Sequence, residues 1–173
     1  MDIKIKEAEF HDNLVQEGKM RREQKYYTYE SMIDVIKVQD KFLGDLTDKK
    51  VLDYGCGVGW LTVDLLLKGA KVHSIDISPK SIEKTKERVK KLGFSNFHNA
   101  TVMDCLKLDF PNNTFDVVAG NGILHHLDDL DKGLNEIKRV LKNGGYMVFY
   151  EPLGKNPIIN LYRSLTKKSR TED

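Results

Sequence analysis

The sequence predicts an α/β protein in which helices cover a parallel sheet. From residue 50 onward, short apolar runs typical of buried strands alternate with segments of helical periodicity. Glycines at positions 55, 57 and 59 follow the first apolar run directly, as expected for a strand, a tight turn and a helix start. At 173 residues, the chain has the length of one domain with its own core.

The first half of this pattern predicts two strand–helix units. The apolar run Lys50–Tyr54 predicts a buried strand, and the amphipathic run Gly59–Lys68 predicts the helix that follows it. Lys71–Ile75 predicts the second strand. The second helix is expected over Ser78–Leu92, because its first two residues are a serine suited to the N-cap and a proline suited to the first helical position.

The second half predicts three strands and one helix. Asn96–Val102 predicts the third strand, and Thr114–Ala119 predicts the fourth after a Pro-Asn-Asn turn. Apolar residues at spacings of three and four predict a helix over Asp129–Leu141. The Asn-Gly-Gly sequence at 143–145 is expected to end that helix in a turn, and Tyr146–Tyr150 then predicts the fifth strand.

Composition and charge narrow the classes of function. The 28 basic and 26 acidic residues leave a net charge of only +2, so a nucleic-acid partner is not expected. The lysine-rich helix at 80–91 is interpreted as a solvated face with helix-spaced ion pairs. With no run of 18 apolar residues and no signal-peptide core at the start, we expect a cytoplasmic protein without a membrane span. The spacing of Cys56 and Cys105 predicts reduced, packed thiols and no metal site.

The glycine turn suggests a ligand that contains a nucleoside. Dinucleotide-binding loops have the pattern Gly-x-Gly-x-x-Gly, whose third glycine lets the helix pack close to the strand. Counted from Gly55, that third position is Trp60, a bulky side chain. The pyrophosphate interpretation therefore fails at one of its three glycines, and the phosphate-binding pattern Gly-x-x-x-x-Gly-Lys-Ser/Thr is absent from the sequence.

Residues 53–59, Asp-Tyr-Gly-Cys-Gly-Val-Gly, resemble the first motif of class I S-adenosylmethionine-dependent methyltransferases. Asp76, at the end of the second strand, matches the acidic residue that this family places on the ribose hydroxyls. Asp104 matches the position that contacts the adenine amino group. Asn121 and Gly122 follow the fourth strand, where the family lines the methionine end of the cofactor. The resemblance covers about residues 45 to 152.

The resemblance implies a three-layer α/β/α Rossmann-like fold with strand order 3-2-1-4-5. It also implies S-adenosyl-L-methionine as cofactor and S-adenosyl-L-homocysteine as product. The family's C-terminal antiparallel hairpin has no counterpart after the fifth strand, which would leave an open sheet edge for a homodimer or a completing chain. The expected cofactor-binding residues are Asp53, Gly55, Cys56, Gly57, Asp76, Ile77, Met103, Asp104, Cys105, Asn121, Gly122, Tyr26 and Tyr27.

The implied reaction moves the sulfonium methyl to an O, N or C nucleophile of a small molecule by in-line displacement. Such a transfer mainly requires alignment of the reactants, with a general base only where the acceptor must lose a proton. His126 is the candidate base, with His125 beside it. The Asn/Asp-Pro-Pro-Tyr/Phe motif of nucleobase-amino methyltransferases is absent from the sequence after the fourth strand. Two alternatives stay open, namely a cofactor-binding module that is inactive without a completing chain and an NAD-dependent oxidoreductase.

Three regions are expected along the chain. Residues 1–46 form a helical arm that packs on or caps the cofactor site, with a helix over 29–43. Residues 47–152 form the cofactor-binding domain, and residues 153–173 form a short helix or tail, with a helix expected over Ile158–Leu165.

Overall fold

A computed structural model describes residues 8–9, 12–13 and 37–151 of the chain. The helical residues 37–43 precede the first strand, and short 3₁₀ turns occur at Ser95–Phe97 and Leu124–His126. The main elements are β1 (Lys50–Tyr54), α1 (Trp60–Leu67), β2 (Lys71–Asp76), α2 (Pro79–Lys91), β3 (His98–Val102), β4 (Phe115–Asn121), α3 (Leu130–Val140) and β5 (Leu141–Tyr150).

The five strands form one sheet in the order β3-β2-β1-β4-β5, and every neighbouring pair is parallel. Central strand β1 pairs with β2 on one side, where Asp53 lies opposite Ser74, and with β4 on the other, where Asp53 lies opposite Ala119. The predicted α/β class and strand order are confirmed. Because all strands run the same way, their carboxyl ends meet at one edge of the sheet, where open α/β sheets bind ligands.

Two hydrophobic cores cover opposite faces of the sheet. Neighbouring residues of a strand point to opposite faces, so Val51 belongs to one core and Leu52 to the other. Apolar side chains of α1 and α2 pack on the first face, together with Leu43 and Leu46 from the segment before β1. Ile137 and Val140 of α3 pack on the second. The result is the predicted three-layer arrangement.

Several predicted boundaries need correction. The third strand is shorter than expected because the 3₁₀ turn Ser95–Phe97 precedes it, and β4 continues two residues further than predicted, to Asn121. β5 begins directly after α3 at Leu141 rather than at Tyr146. The Asn-Gly-Gly residues predicted to form a turn lie within β5. They form an irregularity between the first pair of the strand, Leu141 opposite Phe115, and the regular pairing that begins at Tyr146.

Some predictions concern residues that the structure does not describe. Tyr26, Tyr27 and the helix expected over Ile158–Leu165 lie outside the described residues, as does the first part of the helix expected over 29–43. Within the described residues the sheet contains no antiparallel strand. Among those residues, no helix combines the length and apolar character that crossing a membrane requires.

Candidate functional site

The loop between β1 and α1 forms the centre of the candidate site. Gly55, Gly57 and Gly59 all have positive φ angles, of 74°, 52° and 80°, which L side chains rarely adopt. The amide groups of Gly55 and Cys56 both donate to the carbonyl of Ile75, so the end of β2 fixes the loop. The loop therefore starts at a fixed position above the carboxyl ends of the two central strands.

The three glycines have different surroundings. A Cβ atom on Gly55 would lie 2.5 Å from Ile123 Cγ1, and one on Gly59 would lie 2.8 Å from Thr85 Cγ2. These two positions require glycine because neighbouring side chains pack directly against the backbone. A Cβ on Gly57 would meet no atom within 4 Å. The middle glycine thus leaves open space, where a ligand can approach the backbone.

Asp76 is held against this open part of the loop. Its Oδ2 accepts a hydrogen bond from the amide of Gly57 at 2.8 Å, and its Oδ1 accepts one from the amide of Ser78 at 2.9 Å. The carbonyl of Asp76 accepts from the amide of Met103. A carboxylate can accept several hydrogen bonds at once, which is the chemistry that suits a diol. Ile77 follows it and is half-buried.

Asp53 lies below the loop and is fully buried. Its Oδ2 accepts from the hydroxyl of Thr62, and its Oδ1 is buried without a hydrogen-bond partner among the described residues. Burial, together with the nearby carboxylates of Asp76 and Asp64, raises the pKa of Asp53 to about 7, although the hydrogen bond from Thr62 opposes the shift. A buried acceptor without a partner suits a donor group on a ligand.

The segment after β3 is tied to the core beneath the site. Tyr54 donates its hydroxyl to the carbonyl of Cys105 at 2.7 Å, and burial raises the pKa of this phenol. The Oδ1 of Asp104 accepts from the amide of Leu106, which shapes the turn. Met103 packs against the core on the α3 side of the sheet. The predicted trio at 103–105 thus lies at the same edge as Asp76.

Asn121 and Gly122 lie at the end of β4. Gln39 donates from Nε2 to the Oδ1 of Asn121 at 2.6 Å, which ties the helical residues 37–43 to this edge. The amide of Gly122, with φ 66°, donates to the carbonyl of Tyr150. The next residue, Ile123, packs against Gly55, so the β4 end adjoins the glycine loop.

The two histidines follow in the 3₁₀ turn. Their rings stack at a tilt, with centroids 4.1 Å apart. His125 Nδ1 lies 2.7 Å from Oε2 of Glu151, whose Oε1 accepts from the amides of Ile123 and Leu124. His126 is half-buried. The carboxylate of Glu151 therefore orients the ring of His125.

The cysteines are packing residues. Cys56 and Cys105 are both buried free thiols. Burial raises the pKa of Cys56 well above its ordinary value, and the carboxylates of Asp53 and Asp76 raise it further. A thiol in this environment is not a reactive nucleophile. Among the described residues, no cluster of three or more His, Cys, Asp or Glu side chains is arranged to hold a metal ion.

Helix α2 contributes residues that the sequence interpretation missed. Thr85 donates to the carbonyl of Gly57 at 2.9 Å, and Arg88 donates to the carbonyl of Val58 at 2.9 Å. The Arg88 guanidinium also lies 3.5 Å from the ring centroid of Trp60. The interpretation of this whole helix as a solvated face is therefore wrong for Arg88, although the exposed pair of Lys84 and Glu87 fits it.

One residue of the N-terminal region also reaches the site. The Oδ1 of Asp12 accepts from the hydroxyl of Ser78, the N-cap of α2, and from the amide of Lys80 at 3.2 Å. Ser78 is the same residue whose amide holds Asp76. In the sequence, the only signal for this role of Asp12 is that an acidic residue suits a helix N-terminus. That signal is too common to identify Asp12 in advance.

Comparison with known proteins gives a family match and several relatives of known activity. Residues 52–149, more than half of the chain, match the family described as the methyltransferase domain. The chain is 36% identical over 105 residues to a sterol 4-C-methyltransferase of Caenorhabditis elegans, an alignment that covers 61% of this chain and 31% of the relative. It is 32% identical over 123 residues to a ubiquinone biosynthesis O-methyltransferase of Nitrosomonas europaea, covering 71% of this chain and 52% of the relative.

A solved structure agrees with these relatives. The fold is similar to that of a SAM-dependent methyltransferase from Aquifex aeolicus, with a TM-score of 0.62 and 28% identity, over 76% of this chain and 77% of that one. The two curated relatives are longer, and the aligned part of this chain spans about a third of one and half of the other.

Proposed function

Because the chain belongs to the methyltransferase domain family, we propose that it moves a methyl group to an O, N or C nucleophile of a small molecule. The cofactor of the family is S-adenosylmethionine, which supplies a methyl group already activated on a sulfonium sulfur. Displacement on such a methyl group depends mainly on alignment and on exclusion of water. The family match and the relatives give no support to the oxidoreductase alternative.

The contact between Gly57 and Asp76 carries the proposal. The amide of Gly57 donates to the carboxylate where the loop leaves open space, so a glycine backbone and a fixed acceptor face the same region. We assign the ribose hydroxyls to Asp76, because a carboxylate can accept two hydrogen bonds from neighbouring hydroxyls. The unpartnered Oδ1 of buried Asp53 provides a second acceptor beneath the loop.

The remaining binding roles follow the order of strands along the sheet. We assign the adenine to the segment at 103–105 after β3, and the methionine end to Asn121 and Gly122 after β4. Tyr26 and Tyr27 are proposed to close over the cofactor as part of the N-terminal arm. The contact of Asp12 with the N-cap of α2 supports an arm that reaches the site.

Where the acceptor must lose a proton, a histidine after β4 serves as base. His126 is the residue proposed from the sequence. The carboxylate of Glu151 supports His125 as a second candidate, because a hydrogen bond at Nδ1 would leave Nε2 as the proton acceptor. Replacing each histidine separately with glutamine distinguishes them, because the rate with a hydroxyl acceptor falls only for the residue that acts as base.

The acceptor is proposed to be a small molecule, since the relatives include a sterol methyltransferase and an O-methyltransferase of ubiquinone biosynthesis. We further propose a cytoplasmic location, and β5, an edge strand of the described sheet, as the place where a second copy or a completing chain would pair. A cofactor-binding module that is inactive without such a chain is the alternative.

Formation of S-adenosylhomocysteine from S-adenosylmethionine, measured with a panel of phenols, carboxylic acids, amines and lipid precursors, tests the proposal. We expect turnover with at least one acceptor class and its loss in Asp76→Ala. Binding of the cofactor without turnover would favour the module. Unchanged cofactor affinity in Asp76→Ala would remove Asp76 from the site. Asp48→Asn is the matched control, because Asp48 forms an exposed ion pair with Lys71 at the opposite end of β2 and asparagine tolerates its positive φ of 59°.

A further inference from the structure

A row of hydrogen-bonding side chains crosses the sheet beneath the glycine loop, from β1 to edge strand β3. Thr62 of α1 donates to Asp53 Oδ2 at 2.5 Å, and its Oγ1 lies 3.0 Å from Oγ of Ser74 on β2. Ser74 Oγ lies 3.0 Å from Nε2 of His98 on β3. Thr62 and Ser74 are fully buried, so their hydroxyl groups depend on one another for hydrogen bonds.

An ionised Asp53 fixes the direction of every hydrogen bond in this row. A carboxylate only accepts, and a hydroxyl has a single proton to donate. Since Thr62 donates to Asp53, its contact with Ser74 requires Ser74 to be the donor. Ser74 has then used its proton, so it must accept from His98. The imidazole of His98 therefore carries its proton on Nε2 and is the terminal donor of the row.

The surroundings of His98 agree with this role. Burial, together with His73 and Lys86 nearby, lowers the pKa of His98 to about 4. The ring is therefore neutral at neutral pH and carries one proton, on either Nδ1 or Nε2. The bond with Ser74 selects the form protonated on Nε2. The row thus has a defined donor at one end and an acceptor-only group at the other.

We propose that His98 is a positioning residue of the cofactor site, which acts through Ser74 and Thr62 to hold the carboxylate of Asp53. With Oδ2 occupied by this row, Oδ1 is left as the acceptor for a donor group of the bound cofactor. The inference rests on the proposed function, because Asp53 needs this orientation only if a ligand binds at the glycine loop. His98 itself lies two strands away from Asp53 in the sheet.

Calorimetric titration of the full chain with S-adenosylmethionine, in buffer of pH above 7, tests this role. Removing the terminal donor in His98→Leu is expected to weaken binding about three- to tenfold, the typical effect of one net hydrogen bond. His98→Gln keeps an N–H donor and should recover most of the affinity. His73→Leu is the matched control, because His73 pairs with Thr101 at 2.9 Å, outside the row. Its affinity should stay within about twofold.

Nitrogen NMR of the His98 ring tests the row without any ligand. We expect a neutral ring protonated on Nε2, and a change in the Nε2 signal when Ser74→Ala removes its acceptor. Equal affinity in His98→Leu and the unchanged chain, or equal losses in His98→Leu, His98→Gln and His73→Leu, would overturn the positioning role. A ring protonated on Nδ1 would overturn the row itself. If the unchanged chain failed to bind the cofactor, the proposed function would fail and the positioning role with it, whatever the NMR result.

Discussion

Alanine substitutions at Gly57 and Gly93 separate two effects, the cost of a positive φ for a residue with a side chain and the loss of space for the proposed cofactor. Both glycines have positive φ, 52° and 78°, and a Cβ on either would meet open space within 4 Å. Alanine at either position should therefore cost about 1–2 kcal/mol of folding free energy, from the left-handed conformation alone. Only Gly57→Ala should also abolish binding of S-adenosylmethionine, because its Cβ would occupy the proposed cofactor position.

Urea unfolding and calorimetric titration of the two variants check this prediction. Similar losses of stability with loss of binding in Gly57→Ala alone would support the assignment. Full cofactor affinity in Gly57→Ala would mean that the open space beside the loop is not the binding position.

Asp53 should give stability an unusual dependence on pH. Its pKa is raised from 3.8 to about 7 on folding, so between these values the folded state retains a proton that the unfolded state has released. The contribution of Asp53 to stability is therefore complete below about pH 4 and falls as pH rises, by at most about 1.4 kcal/mol per pH unit, up to about pH 7.

The variant Asp53→Asn isolates this effect. His98 acts in the opposite direction, because its pKa is lowered from 6.5 to about 4, so its contribution to stability rises over that range. Subtracting the unfolding free energies of the variant from those of the unchanged chain removes the His98 contribution. We expect this difference to fall between pH 4 and pH 7. A flat difference would show that Asp53 titrates normally in the folded chain.

Among the elements, α2 has a larger role than its charge pattern suggested. Thr85 and Arg88 hold the loop carbonyls of Gly57 and Val58, and Arg88 covers Trp60. Arg88→Ala should cost about 1–2 kcal/mol, the sum of one hydrogen bond and one partly exposed cation–π contact, and should weaken cofactor binding. Lys84, one turn earlier on the same face of the helix, forms an exposed ion pair with Glu87.

Lys84→Ala is accordingly the control for Arg88→Ala. It should change the unfolding free energy by less than about 0.5 kcal/mol and leave cofactor affinity unchanged. Thermal or urea unfolding with calorimetry distinguishes the two variants. Equal effects of both substitutions would indicate that α2 does not hold the loop.

The elements also show where sequence reasoning reaches its limit. Periodicity and the Ser-Pro start located α2, and Ser78 is its N-cap as predicted, with its side chain accepting from the amide of Ser81. The pattern could not show that Arg88 turns toward Trp60, because that contact depends on how α2 packs beside the loop. Likewise, glycines at 144 and 145 indicated a turn, but the pairing of Leu141 with Phe115 extends β5 through it.

In the whole molecule, the regular alternation of strands and helices was sufficient to predict the α/β class. The motif resemblance was sufficient to predict the strand order. The positions of Asp76 and of the segment 103–105 followed, because parallel strands end at one edge. The partners of buried side chains did not follow from the sequence. The row from Asp53 to His98 joins residues 45 positions apart, and only the assembled sheet brings them together.

The proposed cofactor contacts come from four strands of one sheet, so binding should be coupled to global stability. A ligand that binds only the folded state adds about 2.7 kcal/mol at a concentration a hundredfold above its Kd. The thermal midpoint should therefore rise with S-adenosylmethionine concentration in the unchanged chain and stay constant in Asp76→Ala. A rise of the same size in both would place binding elsewhere on the molecule.

Calorimetric titration of the unchanged chain with S-adenosylmethionine, S-adenosylhomocysteine and NADH tests the assignment of the glycine loop most directly. Saturable binding of the first two at one site per chain, with no heat from NADH, is the expected result. Binding of NADH without binding of either sulfur compound would contradict it, and Trp60 would then have to be accommodated in a dinucleotide site.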